Sequence, residues 1–247
     1  MSSDVVDLRD FYAGRLGQVA RSMIRRRIRL VWPDATGLRV LGLGYATPYL
    51  RPFIAEAERV AAMMPASQGV LPWPPETPYR VALAEESELP LGDYSIDRVL
   101  LVHCVEFSEQ LRPLLKEVWR VLAGGGRLLA VVPNRRGIWA RIDGTPFGQG
   151  HPYTPGQLSR LLRDEGFTPE RTAAALFVPP TNSRMILRSA GVWETIGERW
   201  FTTFAGVSMV EATKQIYAAK TVPVQRRART RPVYLPIGHG TPSPVGR

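Results

Sequence analysis

Arg39-Val-Leu-Gly-Leu-Gly-Tyr-Ala-Thr-Pro48 is the stretch that decides the fold. An apolar strand that runs into glycines, with a proline suited to the first position of a helix, predicts a strand-turn-helix unit. Such a turn brings backbone N–H groups close to a ligand, and the helix N-terminus adds partial positive charge. A tight connection with no ligand needs the same Gly42 and Gly44, so the turn by itself leaves both readings open.

Outward from this turn the hydrophobic period switches between 3.6 and 2, as a doubly wound sheet requires. Leu8, Tyr12, Leu16, Val19, Met23 and Ile24 are spaced as one N-terminal helix with a basic face over 8–31, ended by Pro33. Strands are expected at 38–43, 60–64, 79–83, 97–102 and 127–132, with a helix at 49–58. The segment Leu71-Pro-Trp-Pro-Pro-Glu-Thr-Pro78 must be a surface connection. Thr154-Pro155 predicts an N-cap and first helical position, opening a helix that Gly166 stops. Strands near 168–177 and 201–213 complete an α/β, Rossmann-like sheet of seven strands with the last one antiparallel.

Four further stretches follow the turn in order. They are Glu85-Glu-Ser-Glu-Leu-Pro-Leu91, Asp93-Tyr-Ser-Ile-Asp-Arg-Val-Leu-Leu-Val102, Leu114-Leu-Lys-Glu-Val-Trp-Arg-Val-Leu-Ala-Gly-Gly-Gly-Arg-Leu-Leu-Ala-Val-Val-Pro133 and Phe204-Ala-Gly-Val-Ser-Met-Val-Glu-Ala-Thr-Lys214. Together with the turn, this series resembles the class I S-adenosylmethionine-dependent methyltransferases of the small-domain type that includes the ubiquinone-biosynthesis enzymes. That family's first turn reads acid-x-Gly-x-Gly-x-Gly. Here Gly42 stands at the acid, Gly44 keeps the first glycine, and Ala46 and Pro48 replace the next two. The acid that closes the family's second strand is replaced by Ala62-Met-Met-Pro65.

The resemblance implies S-adenosylmethionine as cofactor, held by Gly42, Gly44, Ala46 and Thr47 around its methionine part and by Glu85 and Glu86 near its adenine. Each missing charge-assisted hydrogen bond removes about one to two decades of affinity. Methyl transfer from a sulfonium is an in-line displacement, so alignment and exclusion of water carry much of the catalysis. His103, directly after the fourth strand, is the candidate general base, and the alternative for it is a histidine packed under the next helix. Glu106, Asn134, Arg135, His151 and Tyr153 are candidates for the acceptor side. The loop Thr145-Pro-Phe-Gly-Gln-Gly-His-Pro-Tyr-Thr154 reads equally as a rigid crossover, and Asn134-Arg-Arg136 as a solvated basic loop.

Length and an apolar fraction of 45% suit one α/β core of 36–214, between a basic helix at 1–35 and an Arg- and Pro-rich, disordered tail at 215–247. The net charge of +10 is unevenly placed. Residues 11–33 hold six arginines and no acid, and residues 214–247 hold two lysines, five arginines and no acid, which leaves the remainder at −3. Basic ends bind nucleic acid, an anionic membrane surface or an acidic protein, or they only solubilise. The lone Cys104 excludes a disulfide framework and a cysteine-based zinc site, and no metal is expected. No apolar run reaches the length of a membrane span, and the expected location is the cytoplasm. Two functions stand side by side: a methyltransferase acting on an unidentified acceptor, and a catalytically inactive protein of the same fold that binds or regulates a partner. A nucleic-acid module ranks behind both, because the core carries no base-reading motif.

Overall fold

A computed structural model describes residues 4–76 and 78–215. Its strands are β1 Arg39–Gly44, β2 Arg59–Pro65, β3 Val81–Ala84, β4 Ile96–Val102, β5 Leu122–Pro133, β6 Phe167–Ala175 and β7 Val207–Lys214. They form one seven-stranded sheet in the order β3-β2-β1-β4-β5-β7-β6. β7 is antiparallel to β5 and β6, and the other pairings are parallel. This is the α/β, Rossmann-like architecture expected from the sequence. Its strand order reverses between β1 and β4, so the crevice for a ligand lies at the carboxyl ends of those two strands.

β1, β4 and β5 are buried on both faces, which is why they read as continuous apolar runs. One face carries Ile24, Ile28, Tyr49, Phe53, Leu100 and Leu129, the other Leu41, Val99, Leu115, Val118, Leu158 and Phe167. At the opening of β1 the Arg39 guanidinium forks onto the Asp97 carboxylate at 2.9 and 3.0 Å. That pairing sets the register of β1 on β4 and holds the Asp97 carboxyl below the usual range.

The N-terminal segment forms two helices rather than one, α1 Val5–Ala13 and α2 Arg15–Val31. The break falls at Gly14, which is extended with ψ 162°. Just beyond it Gly17 lets the chain double back, because a Cβ there would lie 2.0 Å from the Phe11 carbonyl oxygen. α2 buries Ala20, Ile24, Ile28 and Val31 and turns its arginines outward. Trp32 ends it by donating its indole N–H to Glu211 on β7 at 2.9 Å.

After β1 the expected ten-residue helix is reduced to α3 Thr47–Leu50 and one tighter turn, Arg51–Phe53. Pro52 is the cause: it has no N–H for the next helical hydrogen bond and its ring crowds the preceding turn. α4 Leu111–Val121 ends before the three glycines, which instead form an irregularity in β5 between the pairings of Leu122 and Arg127. α5 Pro155–Asp164 starts as expected, with Thr154 and Gln157 forming a reciprocal capping box. α6 Arg184–Arg188 and α7 Ala190–Trp200 were not assigned from the sequence. The expected basic tail lies, from residue 216 on, outside the described residues.

Candidate active site

The carboxyl ends of β1, β2 and β4 are covered by α1. The Val5 N–H donates to the Gln68 carbonyl after β2, and Tyr12 stacks on Tyr45 after β1 with centroids 5.6 Å apart. The Tyr49 hydroxyl donates to the Tyr12 hydroxyl at 2.9 Å, and Tyr12 lies 2.7 Å from His103 Nε2. His103 Nδ1 lies 3.0 Å from Glu106 Oε1. With a neutral imidazole whose Nδ1–H donates to the Glu106 carboxylate, Nε2 accepts from the Tyr12 hydroxyl. The row therefore runs in one direction, Tyr49 to Tyr12 to His103 to Glu106.

Burial pushes the hydroxyls of Tyr12 and Tyr49 well above their ordinary pKa, so both stay protonated as the row requires. His103 is 1% exposed, and its backbone sits in the left-handed region at φ 48°, a costly place for a side chain with a Cβ. Gln68 holds it there by donating to the His103 carbonyl oxygen. Among the described residues the second oxygen of the buried Glu106 carboxylate has no hydrogen-bond partner.

Gly44 closes β1 at φ 73°, where a Cβ would lie 2.5 Å from the Val102 carbonyl oxygen. Gly42, by contrast, faces Leu50 and Ala46 on the packed side of the turn, and Ala46 and Thr47 are themselves buried. Glu85 is exposed at the end of β3. Glu86 is buried and accepts from Ser108 Oγ at 2.6 Å and from the Gln110 N–H at 3.0 Å, tying the loop after β3 to the start of α4. Between Leu43, Met63, Met64, Glu85, Glu86 and Cys104 there remains a cavity of ≈ 10 Å³, room for about one water molecule.

The acceptor-side candidates lie farther along the same edge. Asn134 is buried and donates to the carbonyls of Thr203 and Ala205 at 2.9 Å each. Tyr153 pairs with it through a backbone bridge, and the Arg135 N–H donates to the Tyr153 carbonyl oxygen at 3.2 Å. His151 is exposed, with its N–H on the Glu106 carbonyl oxygen at 2.9 Å. Asn134 and Arg136, with Arg171 and Phe177, line a cavity of ≈ 750 Å³; Arg135 does not. The structure thus joins His103 to Glu106 by a side-chain contact and Asn134 to Tyr153 by a backbone bridge, and the His151 N–H links the loop before Tyr153 to Glu106. Sequence reasoning missed Tyr12, Tyr49 and Gln68 as members of the site. Helical spacing marked Tyr12 as buried, but no local signal pointed to Tyr49 or Gln68. Among the described residues no three His, Cys, Asp or Glu side chains are placed to hold a metal ion.

Residues 41–130 match the family model of a methyltransferase domain. An S-adenosylmethionine-dependent methyltransferase from Thermotoga maritima superposes with a TM-score of 0.59 at 17% identity, over 85% of this chain and 96% of that one. A chain of the Haloferax volcanii complex between the Trm112 methyltransferase activator and the protein assigned as its methyltransferase gives 0.60 at 15% identity, over 87% and 100%. An S-adenosylmethionine-dependent methyltransferase from Archaeoglobus fulgidus gives 0.54 at 19%, over 78% and 94%. No curated protein matches the sequence. The strand order and the domain match together make this a chain of the class I S-adenosylmethionine-dependent methyltransferase fold.

Proposed function

We propose that the protein is an S-adenosylmethionine-dependent methyltransferase whose acceptor carries an anionic group. One observation carries the reading: a buried carboxylate, Glu106, has an unpartnered oxygen at the switch-point crevice, where a cationic ligand would supply what the protein does not. S-adenosylmethionine, when bound, supplies an electrophilic methyl group on a sulfonium centre. On this chain the Gly44 turn keeps the backbone close to the ligand, Glu85 offers an exposed acceptor at the end of β3, and Glu106 faces the cation. His103, its Nδ1–H fixed on Glu106, presents Nε2 as a proton acceptor once Tyr12 withdraws. Entry of the cofactor beside His103 requires α1 to lift from the edge, because Tyr12 is bonded to His103 Nε2 there, and its return excludes water from the reaction. Asn134, Arg136 and Arg171 on the wall of the larger cavity suit the anionic acceptor. The free, buried Cys104 supports a reducing compartment, and we place the protein in the cytoplasm.

Calorimetric titration of the full chain with S-adenosylmethionine tests this. Micromolar binding is expected, weakened about 10- to 100-fold by Glu106→Gln, which removes a charge-assisted contact. The packed crevice also favours a second reading, a protein of this fold that binds a partner without catalysis. Absence of heat at millimolar ligand for the full chain would overturn the first reading and favour that one.

A further inference from the structure

α7 rests on the body of the protein along one narrow side. Ala190, Glu194 and Gly197 are buried there, and Gly197 admits the Phe177 ring so closely that a Cβ would lie 2.3 Å from it. The opposite side presents Val192, Trp193, Ile196 and Trp200, which recur at helical spacing and form one stripe. Trp200 is 71% exposed and Trp193 41%. Met185 of α6, at 79%, together with Phe201 and Phe204, extends the patch. Scattered exposed apolar residues are ordinary, but a helical stripe with two tryptophans, followed directly in the chain by two exposed phenylalanines, marks a docking surface.

The charges around it decide the occupant. Between α2 and α6–α7 runs a groove of ≈ 570 Å³ with Val19, Met23 and Leu187 on its floor and Arg15, Arg184 and Arg188 at its rim. No acid lines it, and among the described residues none of the three arginines forms an ion pair. The two acids of α7 are already engaged: Glu194 accepts from the Phe177 N–H at 2.7 Å, and Glu198 pairs with Arg27 at 2.6 Å. Arg199 lies over the Trp200 ring at 5.9 Å. A second copy seated on this face would bring uncompensated arginines against arginines. A surface with phosphates above an apolar layer satisfies both parts at once, since aromatic rings settle at the boundary while arginine heads reach the headgroups.

We propose that the α6–α7 face docks on an anionic phospholipid surface, with the Arg15–Arg184–Arg188 groove taking headgroup phosphates and Trp193, Ile196 and Trp200 entering the acyl boundary. No helix of the described residues is long and apolar enough to cross a membrane, so the contact is peripheral. The proposal is independent of methyl transfer.

Flotation of the full chain with vesicles of phosphatidylcholine alone, and of phosphatidylcholine mixed with phosphatidylglycerol, tests it. Binding to the anionic vesicles only is expected, with a blue shift of tryptophan fluorescence. Replacing Arg15, Arg184 and Arg188 by Gln should weaken binding about a hundredfold, each arginine near the surface contributing about fivefold. The basic residues beyond 215 attract anionic vesicles as well, so the deciding variant leaves charge unchanged. Trp193→Ser with Trp200→Ser should lose about tenfold or more in affinity while circular dichroism stays native. Undiminished binding by that variant, or no binding by the parent chain, overturns the proposal. So does a concentration-dependent dimer, seen by ultracentrifugation, that the same variant abolishes, because the face then belongs to a second copy.

Discussion

Around the ends of β1, β2 and β3 the carboxyl edge of the sheet holds a cavity of ≈ 10 Å³, whereas beyond β5 the same edge opens into one of ≈ 750 Å³ lined by Asn134, Arg136 and Arg171 among others. Both regions are built on the ends of parallel strands, where an open α/β sheet places its ligands. They differ in what covers them. The first is walled by β1, β2, the loop after β3 and Leu114 of α4, while α1 covers the neighbouring edge at Tyr45, Gln68 and His103, its Tyr12 hydroxyl built into a buried hydrogen-bond row. The second is bordered by the outer part of α2 and the turn before β7; its Arg136 and Arg171 are exposed, while Arg27 pairs with Glu198 there. On the function proposed above, the acceptor side is open as the chain folds, while the edge beside His103 is covered by a helix that belongs to the core.

The largest effect expected on the packed half comes from Gly44→Val. The added side chain would meet the Val102 carbonyl oxygen at 2.5 Å and Cys104 Cβ at 2.7 Å, on a backbone at φ 73°. A loss of about 4 kcal/mol or more is expected in urea denaturation. A loss below about 1 kcal/mol would mean that this turn is not fixed and that the packed half is softer than described.

Tyr12→Phe is a smaller and sharper probe, because it deletes one hydroxyl and leaves His103 Nε2 and the Tyr49 hydroxyl facing each other without a bridge. About 1–3 kcal/mol should be lost. The pH dependence carries a second signature. Burial raises the pKa of Tyr12 and Tyr49 above the ordinary 10.0, so their contribution is complete below about pH 10 and is lost as pH rises toward the folded values. Unfolding followed from pH 8 to pH 11 should show that alkaline decline in the parent chain and a shallower one in the variant. Identical slopes would remove Tyr12 from the row.

The smallest structural effect belongs to the open half. Arg136→Ala should change stability by no more than about 0.5 kcal/mol, since the side chain is exposed and its backbone N–H keeps its bond to Asn134. Citrate, a small polyanion, should raise the melting temperature of the parent chain and raise it less in the variant. Equal shifts would take Arg136 out of the cavity's ligand chemistry and narrow the contrast between the halves.

How far these regions could be read from the sequence follows the range of the interactions involved. Each strand, the α5 cap at Thr154 and the antiparallel return at β7 depend on local period and turn chemistry, and they were visible. The break at Gly14 was not, because the six periodic positions on both sides of it fit one uninterrupted helix and the reason for the fold-back is the contact of Gly17 with Phe11. α3 was overextended because the apolar pattern after Pro48 outweighed Pro52. α7 escaped notice because its outward side is apolar and its inward side holds a glutamate and a glycine, the reverse of the usual pattern, and α6 because it is five residues long with none buried. In the site, His103 and Glu106 stand three residues apart and were legible as neighbours. That a tyrosine 91 residues earlier bonds to the same imidazole is a product of the folded chain alone.

The row from Tyr49 to Glu106 has a polarity, because each member donates onward and none donates back. Hydrogen bonds in such a series strengthen one another, so its two ends are electrically joined. A positive charge placed against the unpaired Glu106 oxygen would draw on Glu106, loosen its hold on the imidazole proton and weaken the grip of Tyr12 on the far side. In that way the arrival of a cation at one end becomes a signal for release of the covering helix at the other.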